Sequence, residues 1–236
     1  RHAAHLHARH VAVGTTARPY LERVRERLSV VGMFADGIRI HWTTTARVVS
    51  DPPEKALARG SGNWLMRRIF PVIAGARHSL EITSPYFIPG AEGTRALVSL
   101  VEAGVNAAVL TNSLAATDVA AVHGGYAPWR RPLLAGGVRL YELRPDADRK
   151  RISLFGSRGA SLHTKAFTVD GRAGFIGSFN FDPRSVSLNT EMGVLFEHEG
   201  LAGEVRTLFA RETRPDMSYR LRVEDGALIW EGEMDG

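Results

Sequence analysis

The sequence contains no cysteine. Disulfides and thiolate metal sites are therefore excluded, while the redox compartment stays open. Lysine is nearly absent as well: Lys55, Lys150 and Lys165 are the only three, and arginine supplies the other 27 of the 30 basic residues. Arginine is the default cation of this composition, which singles out each retained lysine. Long apolar runs are missing too. The most apolar stretch, 96–110, is interrupted by Ser99, Glu102 and Asn106, and falls short of the ~18–20 residues that a spanning helix needs.

What is present suits a globular protein. The 236 residues are 44% hydrophobic and 23% charged, enough for one large domain or two small ones and for a sizeable core. The formal net charge of +5 favours anionic partners such as phosphate esters, nucleic acid or anionic lipid surfaces, without choosing among them.

The chain opens on His2, His5, His7 and His10, with no carboxylate or cysteine at ligand spacing; a frayed terminus is expected there rather than a metal site. Residues 19–28 predict a short amphipathic helix started by Pro19. Residues 38–44, after the Asp36-Gly37 turn, alternate weakly like a strand. Residues 50–55, with two prolines, read as a loop or linker. From residue 63 onward helix and strand alternate. Helices are predicted over 63–76 (with Pro71 as a candidate kink), 92–103 and 118–135, and strands over 79–84, 105–111 and 138–143. Such alternation predicts parallel strands joined by crossover helices. Residues 144–160 are polar and contain glycine, as in a mobile loop. Strands follow at 162–169, 173–178 and 191–197, then a helix at 199–211 and a hairpin at 218–230 around Asp225-Gly226. The expected fold class is α/β: a mixed, mostly parallel sheet flanked by helices, with an antiparallel hairpin at the C-terminus.

The chemistry concentrates in residues 161–185, SLHTKAFTVDGRAGFIGSFNFDPRS. Alternate side chains of a strand share a face, so His163 and Lys165 are expected to point the same way. Asp170-Gly171 is a two-residue hairpin turn. The return strand runs to Ser178 and Asn180, which also share a parity. An imidazole, an ammonium, a hydroxyl and an amide thus gather near one end of a hairpin, and Gly177 is expected to leave room for a ligand beside the backbone. Asp182-Pro183 reads as an N-cap followed by proline at the first helical position. Imidazole suits a nucleophile or acid near neutral pH. Lysine and asparagine donate to the non-bridging oxygens of a phosphoryl group as charge builds up on them. The sequence places no carboxylate cluster for Mg²⁺ beside them, so the lysine is expected to take the place of a metal. The set points to phosphodiester chemistry through histidine.

The pattern His163-x-Lys165-x4-Asp170-x6-Gly177-Ser178-x-Asn180 matches the phospholipase D (HKD) motif at every position, and the chain resembles that superfamily. Residues 84–89 (SPYFIP), 111–118 (TNSLAATD), 126–131 and 137–142 (GVRLYE) are similar to the C-terminal half of bacterial cardiolipin synthases, nearest the C-type branch. The resemblance implies roles for His163, Lys165, Asp170, Ser178, Asn180 and Glu191. His163 would form a covalent phosphohistidine, or protonate the group leaving from one. Lys165 and Asn180 would hold the phosphoryl oxygens, with Ser178 assisting. Asp170 would be mainly structural, in keeping with its turn position. Glu191 matches the acidic residue that bonds the other nitrogen of the histidine, fixing its tautomer. Tyr86, Phe87, Asn112, Ser113 and His123 are candidate substrate contacts. The first two follow a strand end, and Asn112 and Ser113 end a parallel strand, where α/β sites gather. His123 lies in a helical stretch and reads equally as a core residue. Arg130 and Arg131 are expected on a solvated face, within reach of anionic lipid.

The family reaction uses two histidines. His41, His78 and His123 are followed two positions later by Thr43, Leu80 and Gly125, not by lysine. A second half-site is therefore expected, in a preceding N-terminal half or in a homodimer. The start at Arg1 rather than methionine favours a piece of a longer protein, inactive alone. The expected segments are a linker or remnant of a preceding half over 1–60, the catalytic domain over 61–215 and a C-terminal tail over 216–236. The reaction implied is phosphatidyl transfer between phospholipids, giving cardiolipin, with no metal and no cofactor. Expected partners are the phospholipid substrate, an anionic membrane surface and the second half; nucleic acid is not expected. The implied location is peripheral, at the bacterial inner membrane. Alternatives are a metal-independent phosphodiesterase or nuclease, phospholipase D hydrolysis, or an inactive membrane-associated binding half.

Overall fold

The alternation that begins near residue 63 is realised as a sheet with two crossover units at its centre. The structure is a computed structural model that describes residues 40–59, 64–117, 119–145 and 162–233. The N-terminal histidines, the predicted helix 19–28, Asp118, Lys150 and most of the predicted loop 144–160 lie outside the described residues. Of the predicted strand 38–44, the described residues 40–44 form no strand.

In chain order the elements are β1 (Arg47–Ser50), a 3₁₀ turn (Pro53–Leu57), α1 (Leu65–Ala74), β2 (Ser79–Thr83), α2 (Gly90–Glu102) and β3 (Asn106–Asn112). Then come α3 (Ala120–Tyr126), a 3₁₀ turn (Ala127–Trp129), α4 (Arg130–Ala135), β4 (Arg139–Leu143), β5 (Ala166–Val169) and β6 (Ala173–Gly177). The chain continues with α5 (Pro183–Ser187), β7 (Met192–Glu197), α6 (Glu199–Glu212), β8 (Ser218–Glu224) and β9 (Ala227–Glu231). Residues 43–236 form one compact unit; residues 1–42 form another, of which only 40–42 are described. Part of the expected linker, Arg47–Ser50, is an edge strand of the sheet, and the expected tail supplies the opposite edge.

The sheet order is β1-β7-β6-β5-β2-β3-β4-β8-β9. It is mixed and flanked by helices, as expected, but its parallel part is confined to β2, β3 and β4, and every other pairing is antiparallel. The expected parallel majority fails because only β2–β3 and β3–β4 are neighbours joined by crossover helices; the helices after β1 and β7 lead to strands elsewhere in the sheet. The neighbours β5–β6 and β8–β9 are joined by short turns, which permit antiparallel pairing alone. At the β5–β6 turn Asp170 and Gly171 both take positive φ, 53° and 66°. At the β8–β9 turn Asp225 and Gly226 do the same, 48° and 77°. Two successive left-handed residues make the turn whose twist matches the flanking strands.

Alternation along the strands feeds two cores. Val109 enters the larger one with Leu80, Ile82, Phe167 and Phe175, beneath Leu65, Ile69 and Ile73 of α1. Its neighbours Ala108 and Leu110 face the other way, into a smaller core with Leu143, Leu162, Phe209 and Met217. Helix α1 runs through Pro71 without ending. The predicted helix 118–135 is instead two short helices joined by the 3₁₀ turn that contains Pro128.

Candidate active site

Strand β5 begins at Ala166, so residues 162–165 precede the sheet rather than belonging to it. Pairing nevertheless reaches back one residue: the Gly177 N–H donates to the Lys165 carbonyl at 3.0 Å. The Lys165 ammonium donates to the His163 carbonyl at 2.9 Å, which keeps the cation against the histidine residue. His163 is exposed and Lys165 half-buried. Ser178 follows the last residue of β6. Because β5 and β6 are antiparallel, the start of one and the end of the other lie at the same end of the sheet. The C-terminal ends of β2 and β3 lie there too, since Thr83 pairs with Ala166. The segments after β2 and β6 are stitched together: the Phe181 N–H donates to Ser84 Oγ at 3.1 Å and the Ile88 N–H to the Phe181 carbonyl at 2.7 Å. The structure thus brings His163, Lys165, Ser178 and Asn180 to one end of the sheet.

Asp170 is not among them. It sits at the far turn, after the length of β5, about 17 Å of chain at ~3.4 Å per residue. Its carboxylate accepts the N–H groups of Arg77, His78 and Ser79, the last two at 2.7 and 2.9 Å, and so closes the start of β2. Burial works to raise this carboxyl, but those N–H donors outweigh it and hold it below its ordinary value. Gly177 also has a different role from the one expected. A Cβ there would lie 2.3 Å from the Met192 carbonyl and 2.6 Å from the Phe175 ring. Close strand packing, not ligand access, requires glycine.

Glu191 is buried, and its two oxygens are taken by hydroxyls: Ser178 donates to Oε2, and Ser185 donates to Oε1 at 2.8 Å. The expected carboxylate–imidazole pair with His163 is replaced here by carboxylate–hydroxyl pairs. Ser185 Oγ also accepts the Asn180 N–H at 3.2 Å. Asn180 is 7% exposed, and its side-chain oxygen has no partner among the described residues, so the fold does not consume that end of the amide. Asp182 caps α5 as predicted, accepting the Ser185 N–H at 2.7 Å. Burial pushes its carboxyl up, against the pull of the Ser185 and Arg184 N–H groups.

Behind Glu191 stands a pair within the segment expected to be a loop or linker. Asp51 Oδ2 accepts the Glu191 N–H at 3.0 Å and the Lys55 ammonium at 2.7 Å. Lys55 is 0% exposed, donates also to the Ser185 carbonyl at 2.7 Å, and lies 5.3 Å from the Trp64 ring centroid. Two signals mark this brace in the sequence: a lysine retained in an arginine-rich chain, and an aspartate four residues before it.

The expected substrate contacts divide. Tyr86 is partly exposed beside the site. Phe87 is in the core, edge-on to Tyr126 at 5.8 Å. Ser113 is buried and its Oγ accepts the Ala116 N–H at 3.2 Å. Asn112 is buried and its amide is engaged by Leu162 at 2.9 and 3.3 Å. His123 is buried against Arg130, to which one ring nitrogen is hydrogen-bonded. Burial, and then the Arg130 charge, lower the His123 pKa. Arg130 is not on a solvated face: it is buried and paired with Glu142 at 2.8 Å, while Arg131 is exposed. Position on the helix explains the difference: Arg130 of α4 meets the buried carboxylate of Glu142 on β4, and Arg131, the next residue round the helix, does not.

Two described cavities lie elsewhere. One of 610 Å³ is at the far turn, lined by Arg47, Arg77, Asp170 and Arg172; the other, of 860 Å³, lies between α4 and β8. Neither is lined by a motif residue other than Asp170.

Mixed sheet, hairpin and clustered motif together define a phospholipase D-like fold. Residues 69–213 match the family described as cardiolipin synthase, PLD-like domain, and the chain belongs to that family. It is 41% identical to cardiolipin synthase C of Escherichia coli K12 over 218 residues, covering 89% of this chain and 46% of that protein. Cardiolipin synthase A of Edwardsiella ictaluri is 25% identical over 64% of this chain and 28% of its own length. The chain thus spans less than half the length of these curated relatives. Among solved structures, Nuc of Salmonella typhimurium, a phospholipase D family member, aligns with a TM-score of 0.55 at 18% identity, over 76% of this chain and 99% of that one. Phosphatidylserine synthase of Haemophilus influenzae aligns with a TM-score of 0.53 at 18% identity, over 71% of this chain and 39% of that one.

Proposed function

We propose that this chain is one half of an enzyme that transfers a phosphatidyl group from one phospholipid to the hydroxyl of another, giving cardiolipin. The observation that carries the reading is the gathering of His163, Lys165, Ser178 and Asn180 at one sheet end, in a chain 41% identical to cardiolipin synthase C. The imidazole of one half attacks phosphorus, forming a P–N bond as the P–O bond to the departing alcohol breaks. The imidazolium of the other half gives that alcohol its proton. The acceptor hydroxyl then yields its proton to the same second imidazole and attacks phosphorus, and the P–N bond breaks. His163 serves as one of these two groups. Lys165 and Asn180 hold the non-bridging oxygens where charge accumulates. Ser178, tied to Glu191, assists from the end of β6, and the Asp51–Lys55 pair braces Glu191.

A second half-site is required because this chain carries a single His-x-Lys motif and leaves His163 exposed. It resides in a preceding half or in a second copy. The residues up to about 60 would then lead from that half into the catalytic domain. The net charge of +5 suits peripheral attachment to the anionic surface of the bacterial inner membrane. Among the described residues no helix is long and apolar enough to cross a membrane.

Assay of the complete protein on anionic phospholipid vesicles, on DNA and on a chromogenic phosphodiester separates the readings. Lipid-to-lipid transfer is expected. Release of free phosphatidic acid alone would point to hydrolysis, and DNA cleavage without lipid product to a nuclease, which the positive charge also suits. No turnover of any substrate would leave a binding half.

A further inference from the structure

We propose that Asn112 is a positioning residue for His163, acting through the backbone of the residue that precedes it. Asn112 is the last residue of β3. Its Oδ1 accepts the Leu162 N–H at 2.9 Å, and its Nδ2 donates to the Leu162 carbonyl at 3.3 Å. A carboxamide offers the same donor and acceptor as a peptide group, so this side chain imitates the strand partner that Leu162 lacks. The Leu162 side chain is held as well, in the core formed with Leu110, Leu143, Phe209 and Met217. On the other side of His163, the Lys165 carbonyl is fixed by the Gly177 N–H. His163 is therefore slung between two anchors, one Cα step from the Asn112 grip and two from the Gly177 bond.

The grip is itself backed. Asn112 is buried, and its backbone works to raise the His123 pKa against burial and the Arg130 charge. His123 leans on Arg130, Arg130 on Glu142 Oε1 at 2.8 Å, and Glu142 Oε2 accepts the Trp230 indole N–H at 2.9 Å. The amide of Asn112 is thus engaged at both ends by the Leu162 backbone. A shift of ~1 Å at a reacting group can cost about a hundredfold in rate, so a grip one residue from His163 bears on turnover.

The proposal rests on the catalytic reading of His163. Its test uses the complete protein with Asn112→Ala and Asn112→Asp, assayed for lipid transfer and for hydrolysis of bis(4-nitrophenyl) phosphate, beside hydrogen exchange of the peptide covering 162–165. Asn112→Ala is expected to lower kcat about a hundredfold while KM stays within about twofold. Exchange at 162–165 should quicken while β3 and β4 stay protected. Asn112→Asp keeps the acceptor for the Leu162 N–H but loses the donor and sets a buried oxygen against the Leu162 carbonyl, so it too should lower kcat with KM held; it also serves if the alanine variant does not fold. Unchanged kcat, a rise in KM alone, or unchanged exchange at 162–165 would overturn the proposal. A wrong lipid reading shows differently: wild type then hydrolyses the diester without transferring lipid, and the Asn112 comparison is made on the diester.

Discussion

Ser178, directly after β6, donates a hydrogen bond to Glu191, thirteen residues further along the chain and just ahead of the neighbouring strand β7. The bond ties the motif serine to a buried carboxylate that also holds Ser185. A hydroxyl–carboxylate bond of this kind is worth about 1.5–3 kcal/mol. Ser178→Ala and Glu191→Gln, alone and together, are expected to show a coupling of about 0.5–3 kcal/mol in urea unfolding. Strict additivity would mean that the two side chains stabilise the fold independently.

Lys55 is fully buried on Asp51, and that aspartate also holds the Glu191 N–H. Removing one member of a buried pair leaves the other charge without compensation, at a cost of about 3–5 kcal/mol. Lys55→Met is expected to lose that much stability by denaturant unfolding. Turnover of the residual folded protein should fall as well, because Glu191 loses its backing. A neutral effect on both would show that the brace is dispensable.

Asp170 carries the pH dependence of the hairpin. Its folded carboxyl lies below its ordinary value because three backbone N–H groups favour the charged form over the cost of burial. Stability from this site is therefore fully present above the unfolded pKa of ~3.9. It is lost as pH falls through the lower folded value. Asp170→Asn should lower stability at pH 7 and flatten this part of the acid limb of a stability–pH curve. An unchanged acid limb would remove Asp170 from that role.

Much of this was readable from residue pattern, and the failures have physical causes. The turns Asp170-Gly171 and Asp225-Gly226 were legible because two consecutive positive φ values demand such residues. The N-cap Asp182 was legible for the same local reason. The motif spacing placed His163, Lys165, Ser178 and Asn180 at one end because a single tight turn suffices; strand parity does not enter, since all four lie just outside β5 and β6. The parallel majority was illegible, since a strand does not declare its neighbour. Phe87 and Asn112 follow or end strands as pocket residues do, yet one is in the core and the other grips Leu162. Arg130 looked like one more surface arginine; only the fold brings Glu142 beneath it. The Asp51–Lys55 pair leaves a local mark in the sequence, but its link to Glu191 crosses some 140 residues, a distance at which sequence pattern carries no signal.

The central claim is that the half-site around His163 performs phosphatidyl transfer. Its most direct test is cardiolipin formation by the complete protein in anionic vesicles, wild type against His163→Ala, with folding checked by thermal melting. Loss of cardiolipin by about 10³-fold or more with an unchanged melting curve is predicted. Equal cardiolipin from the two proteins would contradict the account.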